Sequence, residues 1–325
     1  MNLVIADESN EPITMVSDFD IDAQYGNDSN EFTLDIYDEI EVDKFYRWWV
    51  DGTSFGGIIK KLCPQQSGDI STVSFKGKTL QGILEAHIIT PPSGSSHLSV
   101  SGDANEVLRQ VIQAVGLSDF FSVPEEDSGI VISSYRFYRF IDAYTGLRMM
   151  ATSNQARLKF DCVNNQFQIS VVNRDLYGDI ESEKMDFSVE RDYLPINHLI
   201  GLGKGEGTSR AISHWYADFL GNLSQKQALF GEYENAKTYA LTSEESDSLS
   251  TKTKNKLKEY QDASEAKFNL PDAVSLDVDD VVVFSNARYG ISAQTSVSSV
   301  ILKASNGVSE ISYEFGQADW PEDEE

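Results

Sequence analysis

The stretch from Val73 to Pro92, VSFKGKTLQGILEAHIITPP, constrains this chain more than any other, because its hydrophobic period changes in the middle and it then stops. Val73 and Phe75 alternate with polar residues as on a half-buried strand, whereas Leu80, Ile83 and Leu84 take the i, i+3, i+4 spacing of one helix face. Gly77 punctuates the change. Pro91-Pro92 ends the segment, since proline offers no amide to a ladder and pushes the residue before it out of the helical region. The stretch reads as the last strand of a small β-domain, a helical turn or two, and an exit toward another domain.

A chain of 325 residues has room for two or three such domains. Its 26 basic against 52 acidic residues give a formal net charge of -26, which argues against tight binding to nucleic acid phosphates or to an anionic membrane surface. Cys63 and Cys162 lack the paired spacing of a zinc site or disulfide framework and read as two reduced or buried thiols. The N-terminus has no basic segment ahead of its short apolar run, so no secretory signal is expected. No apolar run approaches the roughly 18 residues of a membrane span, and the chain reads as soluble.

The N-terminal part reads as mostly antiparallel β. Ile13 to Ala23 is expected as an early strand, and Phe32, Leu34 and Ile36 alternate. Phe45 to Val50 and Phe55 to Leu62 form a hairpin about Asp51-Gly52, with Gly56-Gly57 marking a bulge or a close backbone approach. After a Gly/Ser linker at Ser93 to Ser96, Asp103 caps a helix whose face is Val107, Leu108, Val111, Ile112 and Val115, closed by Gly116. A second helix is expected over Phe137 to Met150, then a hairpin, Arg157 to Cys162 and Gln166 to Val172, about Asn164-Asn165.

Strands resume from Asn197, with Ala211 to Tyr216 alternating. Ser243 to Ala266 is charged, and Leu249, Leu257 and Tyr260 give it no broad apolar stripe, so it reads as an exposed helix dispensable for folding. Strands at Val281 to Phe284, Ser296 to Lys303 and Val308 to Phe315 lead to an acidic tail expected to be disordered.

Chemistry-bearing motifs are sparse. Gly201, Gly203, Gly205 and Gly207 fit neither register of the dinucleotide fingerprint, and a strand-like pattern follows them. Asp277, Asp279 and Asp280 lack the glycine and distal glutamate of a calcium loop and read as acids introducing a strand. His87, His97, His198 and His214 show no metal-ligand spacing, and no serine sits in a nucleophile elbow. Trp48-Trp49 and Trp215-Tyr216 suit sugar stacking or an interface, with burial in a β core or subunit contact the preferred use. No catalytic residue, cofactor or metal ligand is assigned.

An internal likeness spans the chain. Thr53 to Lys61, TSFGGIIKK, lies beside Thr295 to Lys303, TSVSSVILK, and each precedes a polar loop and a second strand, Ile70 to Gly77 and Val308 to Gly316. Two amphipathic hairpins can also match by patterning alone. With this repeat, the residues Asp18-Phe19, Gly57-Ile58-Ile59, Gly77 through Ile88-Ile89-Thr90-Pro91-Pro92, Asn197 to Gly203 and Asp279-Asp280-Val281-Val282 resemble the tail-associated hub family at the baseplate of long-tailed phages. Ala86-His87 departs from the arginine expected there, and no C-terminal lysozyme or peptidase module of the kind some relatives carry is expected.

The resemblance implies an α+β, mostly β fold: a first β-barrel-like tube domain over 1–92, an α+β insertion over 93–191, a second tube domain over 192–316 with a helical excursion at 243–266, and the tail 317–325. It further implies a homotrimeric ring, not an enzyme, joining the sixfold tail tube and distal tail protein to threefold tip or fibre proteins, with DNA passing through but not held. The localisation implied is the virion tail tip. Candidate subunit-contact residues are Trp48, Trp49, Ile58, Ile59, Val300 and Ile301. The alternatives are the hub of a bacterial contractile injection particle and, in a different class, a cell-wall hydrolase or saccharide-binding adhesin.

Overall fold

Among the described residues, seven strands lead to the first helix: β1 (Leu3–Ala6), β2 (Pro12–Val16), β3 (Phe19–Gly26), β4 (Glu31–Ile36), β5 (Arg47–Val50), β6 (Gly56–Ser67) and β7 (Ile70–Thr79). The expected early strand is two, β2 and β3, broken at Ser17-Asp18. In α1 (Leu80–Glu85) the N-cap Thr79 accepts from the Gly82 N–H, so a threonine cap sets the change of period. Gly77 has a different use from the punctuation expected of it. It lies inside β7, where a Cβ would stand 1.9 Å from the Ile58 carbonyl oxygen, and its absence lets β6 and β7 pair closely.

The computed structural model describes residues 2–27, 29–37, 43–67, 70–178, 186–190, 192, 194–219, 221–242, 244, 246–261, 265–269, 274–286, 291–305 and 307–316. The acidic tail 317–325 lies outside them.

After Pro92 come β8 (Ser99–Asp103), α2 (Ala104–Ala114), β9 (Phe121–Ser122), β10 (Val131–Arg136), α3 (Ala143–Thr152), β11 (Ala156–Val163), β12 (Gln166–Asn173) and β13 (Leu176–Tyr177). Asp103 caps α2 as expected, accepting from the Asn105 N–H, and also receives the Ser128 and Gly129 N–H groups, which bind the loop before β10. The second helix starts later than its apolar pattern, because Asp142 accepts from the Thr145 N–H and fixes the N-terminus there. Asn164 and Asn165 both take positive φ in the β11–β12 turn, a conformation asparagine tolerates well.

The remaining elements are β14 (Asp186–Glu190), β15 (His198–Leu202), β16 (Ile212–Ala217), β17 (Leu223–Ser224), β18 (Ala236–Ala240), α4 (Ser246–Gln261), β19 (Glu265–Asn269), β20 (Val281–Asn286), β21 (Ile291–Ser305) and β22 (Val308–Phe315). One compact unit holds Met1–Met185 and Leu270–Gly316; the other holds Asp186–Asn269.

This division differs from the expected domains. The large sheet of the first unit runs β13-β20-β21-β3-β4-β7-β6-β5-β1-β2, with β22 on β21, so the C-terminal strands join the N-terminal ones. The seam is an antiparallel ladder from Ser299 opposite Gly26 to Ala304 opposite Ile21. The expected pair of barrels is corrected to one open sheet among the described strands: β13, β22 and β2 leave free edges, and Pro12 in β2 withholds a ladder donor. The expected boundary at Pro92 is also not a boundary of the core. Leu80, Ile83 and Leu84 of α1 and Trp49 share one apolar cluster with Leu108, Ile112, Leu147 and Phe167 of the insertion. Full burial of each aliphatic chain there stabilises by about 1.5–3 kcal/mol.

In the second unit, β17-β16-β15-β18 form a sheet under α4. The helix expected to be exposed buries a narrow stripe: Leu249, Thr253 and Leu257, spaced by four, are each 0% exposed. The threonine in the middle hid that stripe in the pattern; its hydroxyl donates to the Leu249 carbonyl and is thereby satisfied. The glycine run explains the close seat. A Cβ on Gly201 would stand 2.0 Å from Thr253 Oγ1, and one on Gly203 2.9 Å from Leu249 Cδ2.

Candidate assembly surface

The loop before β20 turns its three aspartates inward. Asp280, wholly buried, accepts from Arg157 Nε at 2.7 Å and from the Asp175 and Asp277 N–H groups at 2.7 Å each. Asp277 accepts from the Tyr25 hydroxyl and from Ser54 Oγ, both at 2.9 Å, and lies 3.4 Å from Arg157 Nη1. Asp279 takes φ +77, and its carboxylate receives Arg148 Nε and Nη2 at 2.9 and 2.7 Å, a bidentate pair. Arg148 Nη1 also donates to Asn27 Oδ1 at 2.7 Å.

α3 supplies Arg148, β11 supplies Arg157 and β3 supplies Tyr25, so one polar junction ties the insertion, the N-terminal strands and the last strands together. Burial pushes the Asp277 and Asp280 carboxyls up against the pull of Arg157; burial also pulls the Arg157 guanidinium down, but these carboxylates together outweigh it and hold it above its ordinary value. A guanidinium stays charged in proteins, so it requires these carboxylates. Their lone pairs are engaged by guanidinium, hydroxyl and amide donors, which makes the cluster a brace and leaves it little capacity as a base or nucleophile.

Four of the six candidate contact residues lie in the chain's own core: Trp48 is 0% exposed, Val300 1%, Ile59 2% and Trp49 3%. Trp48 meets Phe32 edge to face at a centroid distance of 4.7 Å, and Trp49 meets Phe167 at 5.9 Å. Neighbours in a strand point to opposite faces, which separates Ile58 from Ile59 and Ile301 from Val300. Ile58 packs half-buried against the insertion's cluster, and Ile301 is half-buried on the outer face of the sheet.

That outer face is read directly from the ladders. One row across it runs Glu310, Lys303, Asp22, Thr33, Lys76, Lys61, from β22 through β21, β3, β4 and β7 to β6. The next row holds Ile301, Gln24, Glu31 and Lys78, with Lys78 Nζ 3.0 Å from Glu31 and 3.5 Å from Glu85. Charge is therefore sorted: carboxylates dominate toward β22, and lysines toward β6 and β7. Asp22, Glu31, Lys60, Lys61, Lys76 and Lys78 line a groove of about 380 Å³.

In the second unit the register of β15 and β16 sets His198 opposite Tyr216 and diagonal to His214, an approach of two histidines that no sequence spacing suggested. His198 Nδ1 lies 2.6 Å from Glu234 Oε1, its Nε2 lies 2.9 Å from His214 Nδ1, and its ring stacks on Tyr216 at 4.3 Å. Burial, then the neighbouring His198, lowers the His214 pKa. Among the described residues no group of three His, Cys, Asp or Glu side chains is arranged to hold a metal ion. No described helix is long and apolar enough to cross a membrane.

No family model matches the sequence, and no curated protein matches it. In three dimensions the chain is similar to solved tail proteins, two of them from prophages. The 43 kDa tail protein of prophage MuSo2 from Shewanella oneidensis is 10% identical, with 98% of each chain covered and a TM-score of 0.49. Prophage tail protein gp18 from Listeria monocytogenes EGD-e is also 10% identical, covering 98% of this chain and 94% of that one, with a TM-score of 0.49. The tail protein from Neisseria meningitidis MC58 is 13% identical over 98% and 97% of the two chains, with a TM-score of 0.47.

Proposed function

We propose that this chain is a structural hub protein of a phage tail tip, assembling as a trimeric ring that adapts a sixfold tail tube to threefold tip components and leaves a channel for the genome. The observation that carries the reading is the placement of the two similar hairpins. β6–β7 and β21–β22 flank the β3–β4 hairpin in one sheet, the first joined through β7 to β4 and the second through β21 to β3. One chain thereby presents two related strand pairs, and three chains present six, which is what a six-to-three adaptor requires. The buried arginine–aspartate junction supports the reading, because it ties the insertion to β3 and to the loop before β20 in a part that must bear load.

The partners in this reading are further copies of the chain, the tube or distal tail protein above and tip or fibre proteins below. Ile301 belongs to the contact surface; the buried tryptophans hold the sheet. The protein acts without enzymatic turnover, since the carboxylates with the strongest surroundings are held by arginines. A prophage or a contractile injection particle would use the same part in the same way.

Electron microscopy of the purified protein, alone and mixed with a tail-tube protein, tests the reading. Threefold rings that cap tube ends are expected. A protein that stays monomeric with the tube protein present, or one that hydrolyses purified cell wall and loses that activity with a single carboxylate substitution, would overturn it.

A further inference from the structure

Lys61 and Lys76 stand directly opposite each other in the β6–β7 ladder, an arrangement in which like charges repel, and the bulge residue Lys60 adds a third. All three are exposed, and among the described residues none has a carboxylate within ion-pair distance. In a chain with twice as many acids as bases, three exposed lysines with no ion-pair partner among the described residues leave room for counter-charges supplied by a partner. At the other end of the same face, exposed Glu310 and Glu314 project from the edge strand β22. Five interstrand steps, about 24 Å, separate the two ends.

We propose that this face is a contact between copies of the chain, with Lys60, Lys61 and Lys76 of one copy set against Glu310 and Glu314 of the next. The inference deepens the hub reading by naming the surface through which copies meet. A protein partner fits the groove better than a polyphosphate, because Asp22 and Glu31 line it beside the lysines and would face the phosphates, whereas a protein places its charges one by one. The chain itself carries the complementary patch. The two patches differ and lie apart, so the contact is head to tail, the kind that closes into a ring when its rotation allows.

The test is a charge-swap complementation read by sedimentation velocity at low and physiological salt, using the full chain. Lys61→Glu/Lys76→Glu and Glu310→Lys/Glu314→Lys each alter exposed side chains only, and circular dichroism checks that both fold. Each variant alone is expected to associate at least about tenfold more weakly than wild type. An equimolar mixture is expected to recover pairwise association, because each reversed patch meets its opposite on an unlike copy, while a three-membered ring of the mixture still holds one like-variant contact. Association unchanged in both variants, or a mixture no better than its components, overturns the contact. A 20-base-pair DNA duplex that binds wild type at physiological salt and not Lys61→Glu/Lys76→Glu assigns the lysines to a polyanion and also overturns it. Rings that survive both reversals leave the hub reading standing and sink only this contact. Charge-dependent association into open chains without rings keeps the contact and sinks the hub reading.

Discussion

Arg157 Nε stands 2.7 Å from Asp280 Oδ1, joining residues 123 positions apart across a junction where Asp280 has no exposed surface. Arg157→Met leaves two buried carboxylates without their cation and is expected to lower unfolding free energy by about 3–5 kcal/mol. Arg157→Lys recovers only part, since one ammonium cannot reproduce the planar fork. Urea denaturation at neutral pH measures both; a loss under about 1 kcal/mol for the methionine variant rules out the brace.

Removing α4 is expected to unfold the second unit. Replacing 246–261 by a short Gly/Ser bridge strips the cover from Leu199 and Ala217, and Leu257→Ala alone should cost about 2–5 kcal/mol. A deletion variant with unchanged amide protection in β15 and β16 would show that the helix is an ornament.

Gly77→Ala places a methyl 1.9 Å from the Ile58 carbonyl and 2.9 Å from the Phe32 ring, and a backbone atom yields less than the end of a side chain. The ladder must part, at a cost of about 1–3 kcal/mol. Equal melting temperatures for variant and wild type would contradict the close approach.

His214 has a folded-state pKa below its ordinary 6.5, so the unfolded chain takes up the proton more readily. The stability of the second unit is therefore full above pH 6.5 and declines as the pH falls below that value. Protonating both rings also turns His214 Nδ1 and His198 Nε2 into facing donors, which breaks their hydrogen bond. Thermal unfolding followed through Trp215 fluorescence should show this decline from pH 7.5 to 5.0, and His214→Gln should flatten it. An identical slope in the variant would place the pH dependence elsewhere.

Local chemistry was legible in the sequence wherever it acts over a few residues. Asp103 and its helix face, the Asn164-Asn165 turn and the strand-to-helix change before Pro92 all follow from capping, positive φ tolerance and period. Long-range pairings were not legible. Nothing in the pattern of β21 says that β3 lies beside it, because both are amphipathic strands and the period-2 signal names a face without naming a neighbour. The same degeneracy put Trp48, Trp49, Ile59 and Val300 at a subunit contact when their apolar side faces the chain's own core. Asp277, Asp279 and Asp280 read in the sequence as acids introducing a strand, and nothing there points to their arginines, which lie more than a hundred positions away.

The seam between β3 and β21 also governs when this molecule can be finished. Ile21 leaves the ribosome 283 residues before its partner Ala304. At about 5–20 residues per second, the free edge of β3 waits roughly 15 to 60 seconds for its neighbour. During that interval an unpaired strand edge is open to pairing with another nascent chain on the same message. The alternating acids along the outer side of β3, Asp20 and Asp22, give that waiting edge a charge that repels its own kind. Synthesis, and not only the finished fold, therefore places a demand on the acidity of this sheet.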